Sequence, residues 1–243
     1  MAMELFLGQR RLPIDAALFD LDGTLVHSLG DFVVALGALL DELQLPGIDA
    51  EEAAPLLGKG VDHLVHTVLA RSVGVERATA LFPRARPIYW RHYTAVNGLH
   101  SHVYAGVREA LARLHAGGVQ LACVTNKPMA FAQPLLRAMG LQDCFALVTG
   151  GDSHPRMKPD PLPLLAACDR LGAAPARTLM VGDSTNDSEA ARAAGCPVAL
   201  MRYGYNHGVP VDQVDCDAAL DDMTELFGPS GGAPCPTSLE NRA

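Results

Sequence analysis

Short continuous apolar runs alternate with helical stripes along the second half of this chain. The runs predict buried strands over residues 14–19, 120–124, 145–148, 178–181 and 198–201, and apolar residues at helical spacing predict helices over 107–115, 129–139, 162–171 and 188–194. Gly117-Gly118 closes the first of these helices. Strand alternating with helix predicts a parallel sheet covered on both faces. The first two strands are about a hundred residues apart, far more than one crossover needs, so something is inserted between them. In that insert Phe32, Val33, Leu36, Leu40 and Leu43 recur at helical spacing, as do Val61, Leu64, Val65, Val68 and Leu69. Residues 78–96 form a third stripe, and Asp49 with Glu52 predicts a further helix start. The stripes read as the core of a small bundle that carries no chemistry. The expected class is α/β: a Rossmann-like doubly wound parallel sheet core (residues 1–25 and 105–227) with a small α-helical domain inserted over 26–104. Residues 228–243, rich in Pro, Gly and Ser, are expected to be a disordered tail.

Composition narrows the function classes. The 243 residues are 49% hydrophobic, which permits a substantial core, and 19 Lys and Arg against 27 Asp and Glu give a net charge of −8. No basic run of the kind that tracks a nucleic-acid backbone is present. The six cysteines form no CxxC pair and read as inert thiols in a reducing cytosol. No apolar segment approaches about 18 residues, and the start shows no cleavage signature, so a soluble cytoplasmic protein with no membrane partner is expected. His63 with His66 and His100 with His102 lack cysteine or carboxylate partners at matching spacing, and read as surface residues rather than a zinc site.

Chemistry gathers at the ends of the apolar runs. Residues 16–19 lead into Asp20-Leu21-Asp22-Gly23-Thr24-Leu25, which puts two carboxylates on the same side of an extended segment just beyond a strand end, where open α/β sheets bind ligands. One carboxylate can attack phosphorus while the other donates a proton to the leaving oxygen. Taken alone, the string reads equally well as an acidic turn in which Gly23 bends the chain and Thr24 caps a helix. Three more segments shift that balance. Residues 119–124 lead into Thr125-Asn126-Lys127, a hydroxyl and loop N–H groups suited to phosphate oxygens. Lys158-Pro159-Asp160-Pro161 brings a lysine to a rigid helix start, and residues 178–181 lead into Gly182-Asp183-Ser184-Thr185-Asn186-Asp187, carboxylates suited to a hard cation.

In this order the four segments resemble the motif set of the haloacid dehalogenase superfamily of aspartate-nucleophile hydrolases, over roughly residues 14–226. Tyr203-Gly204-Tyr205-Asn206-His207-Gly208, Gly150-Gly151-Asp152 and Val124-Thr125-Asn126-Lys127-Pro128 are similar to its phosphoglycolate phosphatase branch. The resemblance implies a helical cap at the insert, which shields an aspartyl-phosphate from water and selects the substrate. It implies Asp20 as nucleophile, and Asp22 as the acid that protonates the leaving oxygen and then, as base, activates water. Asp22 then needs help to hold a proton, and the neighbouring charge of Asp20 is expected to give some. Mg²⁺ is the implied cofactor, held by Asp20, the backbone carbonyl of Asp22 and Asp183; Asp187 supports the metal or its waters, or else offsets helix N-terminal charge. Thr125 and the Asn126 N–H hold phosphate oxygens and Lys158 offsets phosphoryl charge, whereas Lys127 has a solvated-loop reading and stays outside the catalytic set.

Two positions are particular to this chain. Lys59, in Leu57-Gly58-Lys59-Gly60, lies where related phosphatases carry a loop that approaches the substrate; it reads either as solvated or as the partner of a substrate carboxylate. His27 stands where the family usually has an acid, which bears on the cap hinge. The function implied is Mg²⁺-dependent hydrolysis of a small phosphorylated metabolite, 2-phosphoglycolate to glycolate and phosphate. Another phosphatase, a sugar-phosphate mutase, a phosphonate hydrolase or a non-catalytic phospho-ligand-binding protein are the alternatives, and the sequence suits a monomer or a homodimer. Haloacid dehalogenation has no use for Asp22.

Overall fold

A computed structural model describes residues 3–228, so all but the first residue of the expected tail lies outside the described residues. The chain opens with β1 (Met3–Leu7) and β2 (Arg10–Ile14), an antiparallel hairpin turned at Gly8. The apolar-run pattern does not predict it, because Arg10, Arg11 and Pro13 interrupt the apolar residues and only Leu5, Leu7 and Ile14 are buried. Ile14 therefore belongs to the hairpin, and the first strand of the main sheet is the shorter β3 (Ala16–Phe19). There follow β4 (Val26–His27), α1 (Leu29–Glu42), α2 (Ala50–Ala53), α3 (Val61–Val73), α4 (Val75–Val96) and β5 (His102–Val103). The chain then alternates through α5 (Val107–Ala116), β6 (Gln120–Val124), α6 (Met129–Ala138), β7 (Leu147–Thr149), α7 (Leu162–Leu171), β8 (Thr178–Gly182), α8 (Thr185–Ala194) and β9 (Val198–Met201). A last strand, β10 (Ala218–Leu220), is too short and too polar in its flanks to stand out in the sequence.

Six strands form one parallel sheet in the order β10-β9-β8-β3-β6-β7. Alternate residues feed two apolar layers: Ala17, Phe19, Leu121, Cys123, Leu179 and Val181 pack on one face, Leu18, Ala122, Val124 and Met180 on the other. Burial on both faces is why these strands read as unbroken apolar runs, each large buried side chain contributing roughly 1.5–3 kcal/mol. Phe19 pairs with Cys123 and with Val181, so β3, β6 and β8 end side by side. Their outgoing loops share one edge, which is where the polar motifs sit.

The insert is a helical unit with its own core of Phe32, Leu36, Leu39, Leu40, Val65, Leu69, Tyr89 and Tyr93, joined by Phe131 from α6. Two connections carry it, paired as the short antiparallel ladder β4–β5 with Val26 opposite Val103 and His27 opposite His102. Buried Asp31 of α1 ties the return path, accepting the Gly98 and His100 N–H groups at 2.7 Å each and the Ser101 hydroxyl. No helix among the described residues is long and apolar enough to cross a membrane.

Candidate active site

Asp20 follows Phe19 at the end of β3, its N–H donating to the Val181 carbonyl at 2.9 Å, so the sheet register itself fixes its place between β6 and β8. The chain turns sharply at Gly23, whose φ is +85° and where a Cβ would stand 2.3 Å from a carboxylate oxygen of Asp183. That close approach carries Thr24 to Asp183, Oγ1 donating to Oδ1 at 3.3 Å. The other Asp183 oxygen accepts the Tyr205 N–H at 2.7 Å, and a Cβ at Gly204 would meet Asp183 at 2.1 Å. The 203–208 segment is thus scaffolding for the motif loops. Tyr203 also donates to the Thr24 carbonyl at 2.8 Å, and Asn206 accepts the Thr185 N–H at 3.0 Å.

α8 begins three residues earlier than its stripe predicts, because Asp187 reaches back to the Ser184 N–H at 3.1 Å and closes the first turn. Asp187 thus serves the helix start with one oxygen, and with the other accepts from the Lys158 Nζ at 2.7 Å. Lys158 also stands 2.9 Å from Asp20 Oδ1, so one ammonium is ion-paired with both Asp20 and Asp187. Oxygens of Asp20, Asp183 and Asp187 lie within 4.8 Å of one another. Burial, with Asp187 adding its charge against the pull of Lys158, pushes Asp20 up to about 6. Burial, then Asp187 and Asp20, pushes Asp183 well above the usual carboxylate range. For Lys158 burial acts downward, but Asp187 and Asp20 outweigh it and hold it above its ordinary value. One ammonium does not neutralise three buried carboxylates, and three carboxylate oxygens this close together fit a hard cation.

Asp22 has partners of its own. Both of its oxygens accept from the Lys127 Nζ at 3.0 Å, and Oδ1 also accepts from the Ser28 hydroxyl at 2.6 Å. Lys127 is thereby a correction: it is a buried partner of Asp22 rather than a solvated loop lysine. An ammonium, not only the charge of Asp20, faces Asp22. The scarcity of lysine was the available signal, since two of three lysines fall in motif loops. Ser28 and Tyr93 left no such trace, because a serine after a short strand and a tyrosine in an apolar stripe are ordinary.

Asp20, Asp22, Thr125, Asn126 and Lys127 line a cavity of about 30 Å³ roofed by Phe32, Leu57, Gly58, Gly60, Val61 and Leu64 of the helical unit. Thr125 is buried there with its Oγ1 accepting the Lys127 N–H at 3.2 Å. Asn126 donates through Nδ2 to the carbonyls of Lys158 (2.8 Å) and Gly58 (3.0 Å), and Asn186 donates to the same Gly58 carbonyl at 3.1 Å. Lys59 is exposed and lies outside the cavity, beside His63, Arg86, Trp90 and Met157 in a neighbouring groove.

Residues 14–195 match the haloacid dehalogenase-like hydrolase family. The chain belongs to this family. The hydrolase is 45% identical to the phosphoglycolate phosphatase of Thiobacillus denitrificans over 214 residues, 88% of this chain and 94% of that one. It is 46% identical, over the same shares, to the phosphoglycolate phosphatase of Nitrosospira multiformis. A crystal structure of a predicted phosphoglycolate phosphatase from Haemophilus somnus 129pt, 34% identical, superposes with a TM-score of 0.83 over 88% of this chain and 96% of that one. The hydrolase is a phosphatase, a phosphoric monoester hydrolase acting on a small phosphorylated substrate.

Proposed function

We propose that this phosphatase hydrolyses 2-phosphoglycolate to glycolate and phosphate, with Mg²⁺ as cofactor and a phosphoaspartyl intermediate on Asp20. The observation that carries the reading is the placement of Asp20 and Asp22 in one small cavity roofed by the helical unit, with Asp20 beside Asp183 and Asp187. The names of the relatives support the same substrate.

In the first step an Asp20 oxygen attacks phosphorus in line with the leaving oxygen, the phosphorus–oxygen ester bond breaks, and Asp22 supplies the proton that the glycolate oxygen takes. In the second, Asp22 takes a proton from water as that water attacks phosphorus, which frees phosphate and restores the Asp20 carboxylate. Thr125 and the Asn126 N–H hold the non-bridging oxygens, and Lys158 offsets charge gathering on them. Asp20, the Asp22 carbonyl and Asp183 would hold Mg²⁺, supported by Asp187, and the ion would screen the incoming phosphate from Asp20. The helical unit acts as the cap, excluding water through its roof residues.

Lys59 would join this only by reaching inward past Gly60. Lys59→Met then lowers kcat/KM for 2-phosphoglycolate and spares an aryl phosphate without a carboxylate; equal effects on both remove Lys59 from carboxylate recognition. Asp22→Asn should cost about 10²- to 10⁴-fold with an alkyl leaving group and less with an aryl one. The deciding experiment ranks small phosphates by kcat/KM in Mg²⁺ and in chelator. 2-Phosphoglycolate should lead and chelator should abolish turnover, whereas a sugar phosphate preferred tenfold would overturn the substrate assignment.

A further inference from the structure

We infer that Lys127 is a positioning residue that makes the alignment of Asp22 depend on the docked cap. This rests on the reading of Asp22 as the acid and base. Lys127 comes from the sheet loop after β6, and its side chain is 2% exposed. A buried ammonium is costly unless every N–H is used. Here the Nζ faces both oxygens of Asp22 at 3.0 Å and the Tyr93 hydroxyl at 2.5 Å. Its Nζ also stands 4.5 Å from the ring centre of Phe32 and 4.7 Å from that of Tyr93.

Phe32 and Tyr93 belong to α1 and α4, so half of the ammonium's surroundings come from the cap and the other half from the residue that moves protons. A latch serving closure alone has no need of the acid as its partner. The cap side is rigid, since Tyr93 is fully buried and packs against Phe32, Tyr89 and Phe131 at centroid distances of 5.0, 5.5 and 4.8 Å. Asp22 is gripped from the hinge as well, because Ser28 holds Oδ1 while the Ser28 N–H donates to the Tyr205 hydroxyl at 3.0 Å. With the cap docked, both Asp22 oxygens have fixed donors. With the cap away, Lys127 loses the hydroxyl and both rings, and Asp22 loses its fixed orientation. Proton transfer to the leaving group is thus aligned only after the cavity is closed to water.

The test is single-turnover kinetics on wild type, Lys127→Met, Asp22→Asn and the double variant, with 2-phosphoglycolate and an aryl phosphate, after each melting curve shows a folded protein. Lys127→Met should slow phosphoryl transfer from 2-phosphoglycolate about ten- to a hundredfold, less than the roughly 10²- to 10⁴-fold cost of losing the general acid itself. The aryl phosphate should lose less, KM should change far less than kcat, and in the Asp22→Asn background the substitution should add less than about twofold. Tyr93→Phe keeps the ring and removes the hydroxyl; it should show the same pattern with a smaller loss, and it carries the test if Lys127→Met does not fold. Equal losses with both leaving groups, or a full loss added on top of Asp22→Asn, would overturn the inference. Should Asp22→Asn itself lack leaving-group dependence, the acid–base reading falls and this inference with it; if only Lys127→Met and Tyr93→Phe lack it, the inference alone falls.

Discussion

The strand ends of the sheet and the helical unit are buried to a similar degree but by opposite means. Asp20, Asp183, Asp187 and Lys158 are nearly inaccessible, and burial first, then the charge of Asp187, raises Asp20 and Asp183 against the pull of Lys158. The helical unit buries leucine, valine and aromatic side chains, and its own acid in that core, Asp31, is satisfied by three donors. The strand ends therefore carry a free-energy burden that one ammonium only partly offsets, while the helical unit supplies stability and a roof. The difference teaches where each kind of substitution should be felt.

Asp20→Asn gives the largest effect. Turnover should vanish because an amide cannot attack phosphorus, yet the metal-free protein should melt no lower than wild type near pH 7.5, since a buried charge is removed. A variant free of wild-type contamination that retained a tenth of the activity, or that failed to fold, would break the comparison from this side.

Leu39→Ala is its mirror image. Leu39 is fully buried in the helical unit, so the substitution should cost about 2–5 kcal/mol in denaturant unfolding, while the surviving folded protein turns over an aryl phosphate at nearly the wild-type rate. A collapse of kcat in folded protein would show that the roof's packing enters the chemistry directly.

Cation binding sharpens the contrast more gently. Mg²⁺ at about a hundred times its Kd should raise stability by roughly 2.7 kcal/mol in wild type, and Asp183→Asn should lose most of that rise. Ca²⁺, which accepts more oxygen ligands, should bind and inhibit by engaging both oxygens of Asp20. Full activity in chelator, or in Ca²⁺ alone, contradicts the role given to the carboxylates.

The smallest effect belongs to the hinge between the two regions. His27 stacks on His102 at 4.8 Å, and partial burial with the nearby His102 holds it below its ordinary value. The unfolded chain then takes up the proton first as pH falls, so this contribution to stability is present above about pH 6.5 and lost below it. His27→Asn should flatten the slope of melting temperature against pH between about 5 and 7. An unchanged slope would leave His27 without a part in it.

Sequence alone determined the alternating core, because strands buried on both faces must read as apolar runs, and it drew attention to the polar residues at their ends, because four such segments in one order, rather than any single one, resemble a known motif set. Asp20, Thr125, Lys158, Asp183 and Asp187 were legible for that reason, and so was the helical insert from its stripes. Only tertiary structure decided the rest. The β1–β2 hairpin and β10 are short and half-polar, so local pattern does not separate them from loops. Whether Lys127 is solvated or buried depends on Tyr93 and Phe32, which arrive from a separately packed unit. Lys59 shows the converse: its motif-like glycines are in place, yet its side chain lies outside the cavity because the roof at that point is made by Leu57, Gly58, Gly60 and Val61. Which charged side chain enters a site is settled by the packing of two cores against each other, and no local stretch of sequence contains that information.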